Sequence, residues 1–171
     1  MYLKIQIYLL YNIMKSLVFD LDDTLLMSGT YSRYTDIVPN SRLTDILYNL
    51  HNPKYLYTNG TYGHGINGLD ALNLRNDRDF SNYHIYGRDS IPSMKPEFES
   101  YNHVNNSIMY QHNDYNKRIF FDDLPNNIYT AHNIGWETVW IHRDADNNHK
   151  PYYMDHAYKN IVEALENIDL N

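Results

Sequence analysis

The chain has 171 residues, long enough for one domain with a real core. Hydrophobic residues make up 43% and charged residues 20%, which excludes a disordered chain. A net charge of −7 argues against general nucleic-acid coating, and the lack of cysteine removes disulfides, thiolate metal sites and cysteine nucleophiles, which fits a reducing, cytoplasmic setting.

Met1 to Tyr11 is apolar but carries Lys4 and Gln6, and it is too short to span a bilayer. It has no small-residue cleavage site of the kind a signal peptide needs. Residues 1–13 therefore read as an extension, packed as an extra strand or helix or frayed, ahead of a single domain over 14–171. Ser16 to Phe19 is a short apolar run with the length of a buried strand, and it ends in Asp20, Asp22 and Asp23. An extended chain would point Asp20 and Asp22 the same way. Met27 to Tyr34 reads as a polar, aromatic flap. Pro39 to Leu50 has helical spacing at Leu43, Ile46, Leu47 and Leu50, with Ser41 as a cap.

Lys54 to Tyr57 is a short strand that ends at Thr58-Asn59-Gly60, and a helix follows from about Tyr62 to Leu74. Tyr83 to Tyr86 is a third strand. Pro96 opens a helix to about Tyr110, with proline in its favoured first-turn position. Arg118 to Phe121 is a strand that ends in Asp122-Asp123. Pro125 to Ile134 is a helix stopped by Gly135. Glu137 to His142 is a strand, Asp144 to Asp155 a polar loop, and His156 to Ile168 a closing helix with Ile161, Ala164, Leu165 and Ile168 on one face. Strands alternating with helices predict an α/β fold: a Rossmann-like three-layer sandwich around a central parallel sheet.

Four places carry chemistry. Close carboxylates at Asp20 and Asp22 suit a hard cation, or one ionised and one protonated acid. A strand followed by a helix-capping acidic turn is the plainer reading. The Thr58 hydroxyl and the backbone N–H groups at Thr58-Asn59 can hold phosphate oxygens, although Asn-Gly is also a common turn dipeptide. Lys95, just before a helix, can aim its ammonium at a phosphate or carboxylate. Asp122 and Asp123 can complete a magnesium site or cap the next helix.

Taken in order, these four stations resemble the haloacid dehalogenase (HAD) superfamily of phosphohydrolases, over about Lys15 to Arg143. Asp20-Leu21-Asp22-Asp23-Thr24-Leu25 is similar to that family's first motif. Phe120-Phe121-Asp122-Asp123-Leu124-Pro125-Asn126-Asn127, continuing through Gly135-Trp136-Glu137-Thr138-Val139, is similar to its last. Thr58-Asn59 and Lys95-Pro96 match the two weaker motifs between. The nucleotidase-like and phosphoglycolate-phosphatase-like branch is the nearest in flavour.

The resemblance implies Asp20 as nucleophile, becoming an aspartyl phosphate. It implies Asp22 as general acid and then base, with its backbone carbonyl on Mg²⁺. Thr58 and Asn59 would bind the phosphoryl group and Lys95 would neutralise charge. Asp122 would bind Mg²⁺ directly, and Asp123 would do so through water or support the ligands around it. The implied activity is Mg²⁺-dependent phosphomonoester hydrolysis of a nucleotide or a larger phosphorylated molecule.

Neither Leu25–Thr58 nor Asn59–Lys95 has room for a full cap domain, so the resemblance is to a capless member with an open crevice. Such a crevice would be closed by a large substrate or by another subunit of a homo-oligomer, or else would select its substrates poorly. Tyr31 and Tyr34 are candidates for substrate stacking, against ordinary packing.

Three other readings compete. Gly63-His64-Gly65-Ile66-Asn67-Gly68 spells G-x-G-x-x-G, with Asp89 as the partner acid of a dinucleotide-binding site. It starts several residues late for that fingerprint, and glycines easing helix packing are simpler. The nine histidines are scattered without zinc spacing and read as surface residues. A catalytically inactive binding protein on the same fold would be expected to have lost one of the four stations.

Overall fold

The computed structural model describes residues 14–27, 29, 32–75, 80 and 84–170. The expected extension over residues 1–13, and Tyr31 and Tyr83, lie outside the described residues. Six strands form one sheet: β1 (Ser16–Phe19), β2 (Lys54–Tyr57), β3 (Ile85–Tyr86), β4 (Arg118–Asp122), β5 (Glu137–Ile141) and β6 (His156–Tyr158). Their order is β3-β2-β1-β4-β5-β6, and every pairing is parallel. Among the described residues, five α-helices accompany them: α1 (Ser41–Asn49), α2 (Tyr62–Ala71), α3 (Phe98–Gln111), α4 (Pro125–Asn133) and α5 (Ile161–Asn167). Among the described residues, no helix is long and apolar enough to cross a membrane.

Strand alternation builds two cores. Leu17 and Phe19 of β1, Ile119 and Phe121 of β4 and Leu56 of β2 pack with Leu43 and Leu47 of α1, Leu69 of α2 and Ala164 and Leu165 of α5. Val18, Phe120, Tyr55 and Tyr57 point to the other face, against Tyr101, Val104 and Ile108 of α3 and Ile128 and Ala131 of α4. The layers are therefore helix, sheet, helix, as expected. Both faces of β1 are covered, which is why it reads as a continuous apolar run rather than an alternating one. Between β1 and β2 the described residues form only a short 3₁₀ turn (Tyr34–Asp36) and α1.

Three expectations are corrected. The cap of α1 is Asn40, not Ser41, because its side chain accepts from the Arg42 and Leu43 N–H groups. Pro96 lies outside α3, which starts at Phe98 after Glu97. His156–Tyr158 is a strand rather than the start of the closing helix. It pairs with β5, while Asn160 caps α5 by accepting from the Glu163 N–H. Three residues are too few to show a period, and what recruits them is the open edge of β5.

The glycine-rich run sits on α2 and serves packing. A Cβ at Gly65 would lie 3.0 Å from Leu56 and Ile85 side-chain atoms, and one at Gly68 would lie 2.8 Å from Leu21 Cδ2. Gly87, just after β3, is tighter still. A Cβ there would lie 2.4 Å from the Tyr62 backbone N and 2.7 Å from the Thr61 carbonyl carbon. Backbone cannot swing aside as a side-chain tip can. Gly87→Ala is therefore expected to cost about 1–3 kcal/mol or more, the range of overpacking. Urea unfolding measures this, and an unchanged midpoint would show that the contact relaxes freely.

Candidate active site

The strand order reverses between β1 and β4, and such a switch point opens a crevice at the carboxyl ends of the strands. Phe19 pairs with Phe121, and the Asp20 N–H donates to the Phe121 carbonyl at 2.9 Å. Parallel register thus sets Asp20, the first residue past β1, beside Asp122, the last residue of β4.

Lys95 comes from the loop before α3. Its ammonium donates to Asp20 Oδ1 at 2.7 Å and to Asp122 Oδ2 at 2.6 Å. Its side chain is only 1% exposed. The nitrogen also lies 5.0 Å from the centre of the Tyr57 ring and 5.3 Å from that of Phe120. Asn59 secures the loop: its amide donates to the Lys95 carbonyl at 2.9 Å, and its Oδ1 accepts the Lys95 N–H at 2.8 Å. The Asn59 side chain is thereby committed to backbone, so only its own N–H is left for the expected phosphate contact. Thr58 is buried just past β2, and its hydroxyl accepts the Gly60 N–H at 2.9 Å.

Asp122 is fully buried. Besides Lys95, it accepts from Asn127 Nδ2 at 2.9 and 3.0 Å and from the Leu124 N–H at 2.8 Å. Half-buried Asp123 has its carbonyl held by the Trp140 indole N–H at 2.7 Å. Burial, then the charges of Asp122 and Asp23, push its carboxyl up to about 6. Burial also holds the Asp20 carboxyl above the usual range. Lys95 opposes this and Asp122 adds to it. For Lys95, burial favours the neutral amine, but Asp122 and Asp20 together outweigh it and keep the ammonium charged.

Asp20, Asp122 and Asp123 each present an oxygen, and these three atoms lie within 4.8 Å of one another. When all three are ionised, three carboxylates around one ammonium leave two negative charges uncompensated. An all-oxygen donor set with that deficit fits a hard divalent cation such as Mg²⁺.

The Asp22 carboxylate is not in this cluster. The strand stops at Phe19 and the chain turns, with Asp23 at a φ of 59°, so the two-residue alternation expected for Asp20 and Asp22 does not carry through. Both Asp22 oxygens lie on His64 Nε2 instead, at 3.0 and 2.8 Å.

Three neighbours were not singled out by sequence reasoning. They are His64, counted among the surface histidines, Asn127, and Thr24, whose hydroxyl reaches Asp20 Oδ2 at 3.4 Å. For Asn127 the available signal is its place in the first turn of a helix that begins right after an acid-ended strand. His64 stands in the same kind of position after Thr58-Asn59.

No protein-family model matches the chain, and no curated protein sequence matches it. Solved structures do. A dehalogenase crystal structure superposes with a TM-score of 0.66 at 13% identity, covering 92% of this chain and 98% of that one. YfnB from Bacillus subtilis, described as a HAD-hydrolase and bound to magnesium, gives 0.63 at 15% identity over 90% of this chain and 97% of its own. A hydrolase from Pseudomonas syringae gives 0.60 at 14% identity over 89% and 96%.

The fold is that of the haloacid dehalogenase hydrolases. On this HAD fold, the stretches that carried the sequence resemblance lie just past β1 and β2, at the end of β4, and in the loop before α3. They are far apart in sequence, and the strand order brings them to one end of the sheet.

Proposed function

We propose that the protein is a Mg²⁺-dependent phosphomonoester hydrolase that works through an aspartyl phosphate on Asp20. The observation that supports it is the packing of Asp20, Asp122, Asp123 and Lys95 at the switch point, with two negative charges left for a cation. Phosphoryl transfer asks mainly for positioning and charge neutralisation.

An Asp20 oxygen attacks phosphorus. The bond to the leaving oxygen breaks, and that oxygen takes its electron pair and a proton from Asp22. Water then attacks the phosphoryl phosphorus as Asp22 takes a water proton. The bond to Asp20 breaks, its electrons return to the carboxylate, and inorganic phosphate leaves. Lys95 favours the ionised form of Asp20 against burial and faces the incoming negative charge, while Thr58 and the Asn59 N–H receive phosphoryl oxygens. Mg²⁺, held by Asp20, Asp122, Asp123 and the Asp22 carbonyl, would supply charge neutralisation at the phosphoryl oxygens.

One of the fold's neighbours is a dehalogenase. Halide displacement expels a single negative charge, whereas a phosphomonoester brings about two of its own into a site already lined by acids, so a three-acid cluster that can hold a divalent cation favours phosphate. The test measures phosphate release from nucleoside monophosphates, sugar phosphates, phosphorylated nucleic-acid ends and phosphoproteins, with Mg²⁺ and with chelator. A chloride-release arm uses a 2-chloroalkanoate. Phosphate release that chelator abolishes and Mg²⁺ restores is expected. Halide release, or phosphate release indifferent to chelator, would overturn the proposal.

A further inference from the structure

Asp22 is held by a chain of side chains that the proposed chemistry does not account for. With one Asp22 oxygen holding the proton meant for the leaving group, the other can only accept, so a neutral His64 ring places its hydrogen on Nε2, toward Asp22. Nδ1 is then the acceptor, and the Tyr34 hydroxyl, in hydrogen-bond contact with it, is the donor. The order is Tyr34 hydroxyl to His64 Nδ1, then His64 Nε2 to Asp22.

Three features place the ring. His64 lies in the first turn of α2, where its N–H donates to the capping Thr61 hydroxyl at 3.1 Å. Its Cδ2 lies 2.3 Å from where a Cβ on residue 60 would stand, so only glycine at 60 lets the ring occupy this place. The Tyr34 ring tilts against it with centroids 5.9 Å apart. The His64 side chain is 24% exposed and the Asp22 side chain 41%, so Asp22 remains open to an incoming molecule while its orientation is set from behind.

We propose that His64 is a positioning residue for Asp22, with Tyr34 fixing the ring's tautomer. This rests on the phosphomonoesterase reading above. An aspartate on a half-exposed loop would sample several rotamers. Held by His64, its carboxyl group stays out of the cation cluster and in one place, first to give its proton to the leaving oxygen and then to take one from water.

General-acid help matters most when the leaving group is poor. The experiment therefore measures kcat and KM on a series of substituted phenyl phosphates, from 2,4-dinitrophenyl to unsubstituted phenyl, for the Mg²⁺-loaded wild type, His64→Leu, His64→Gln and Tyr34→Phe. For His64→Leu, kcat on phenyl phosphate is expected to fall about 10²-fold, the lower end of general acid–base contributions. On the dinitrophenyl ester it falls only a few-fold, with KM unchanged on both. His64→Gln, which can place an N–H near the same point, recovers most of the loss. Tyr34→Phe, the mildest change, gives an intermediate slope and keeps the test available should His64→Leu fold poorly. An equal loss across all leaving groups, or a loss confined to KM, overturns the positioning role while leaving the phosphatase reading intact. A wild-type protein that hydrolyses none of the esters overturns that reading, and the positioning role with it.

Discussion

Asp20→Asn protein is expected to fold normally and to lose turnover by on the order of 10⁶-fold, the scale seen when a nucleophile is removed from a unit that acts together. The amide keeps the volume of the carboxyl and can still meet Thr24, but it cannot attack phosphorus. The stability change is expected to be small or favourable. Asp20 is a buried carboxylate whose ionisation burial opposes and Asp122 further opposes. Taking its charge away removes repulsion, and Lys95 remains paired with Asp122 at 2.6 Å. Phosphate release and a thermal melt on the same preparation test both halves. Retained Mg²⁺-dependent turnover in pure Asp20→Asn protein would remove Asp20 from the nucleophile role. A large drop in melting temperature would show that the carboxylate is needed for folding, contrary to this account.

Lys95→Met should do the reverse and strike stability first. Methionine keeps an unbranched apolar stem that can still pack against the Tyr57 and Phe120 rings, so what is lost is the charge. Asp20 and Asp122 are then left buried beside each other with no cation. Breaking a buried pair in this way costs about 3–5 kcal/mol. At about 2–4 °C per kcal/mol for a domain of this size, melting should fall by roughly 6–20 °C in the absence of divalent cation. Added Mg²⁺ should recover part of the loss, because a ligand that binds only the folded state raises its stability. The double variant with Asp20→Asn should be less destabilised than the two single effects predict, since it removes one of the carboxylates that Lys95 serves. A Lys95→Met melt within a degree of wild type, without added metal, would mean that the acids are already neutral or solvated.

Much of the layout was legible because it depends on local chemistry. Lys54 to Tyr57 is a strand with the expected limits, and Pro125 at the start of α4 and Gly135 after its end punctuate that helix as their backbones require. Acids directly after two apolar runs were visible for the same reason. The misplaced start of the closing helix shows where local reading stops. Nothing within His156, Ala157 and Tyr158 selects a strand, and the selection comes from β5, whose edge they complete. His64 shows the same limit at the site. A histidine in a glycine-rich helix start carries no mark of function, and its contacts with Asp22 and Tyr34 depend on a loop from β1 and a 3₁₀ turn that meet it only in three dimensions.

From its residues alone, this chain specified an alternating α/β order and the acids, threonine and lysine that can handle phosphate, because periodicity, turn residues and side-chain chemistry act over a few positions. Folding decided which of those groups touch. Parallel register set Asp20 against Asp122, Asn59 held the loop that delivers Lys95 between them, and the turn after β1 gave Asp22 to His64 rather than to the acid cluster. Contacts between residues so far apart in the chain depend on the packing of whole strands and helices, which no short stretch of sequence encodes.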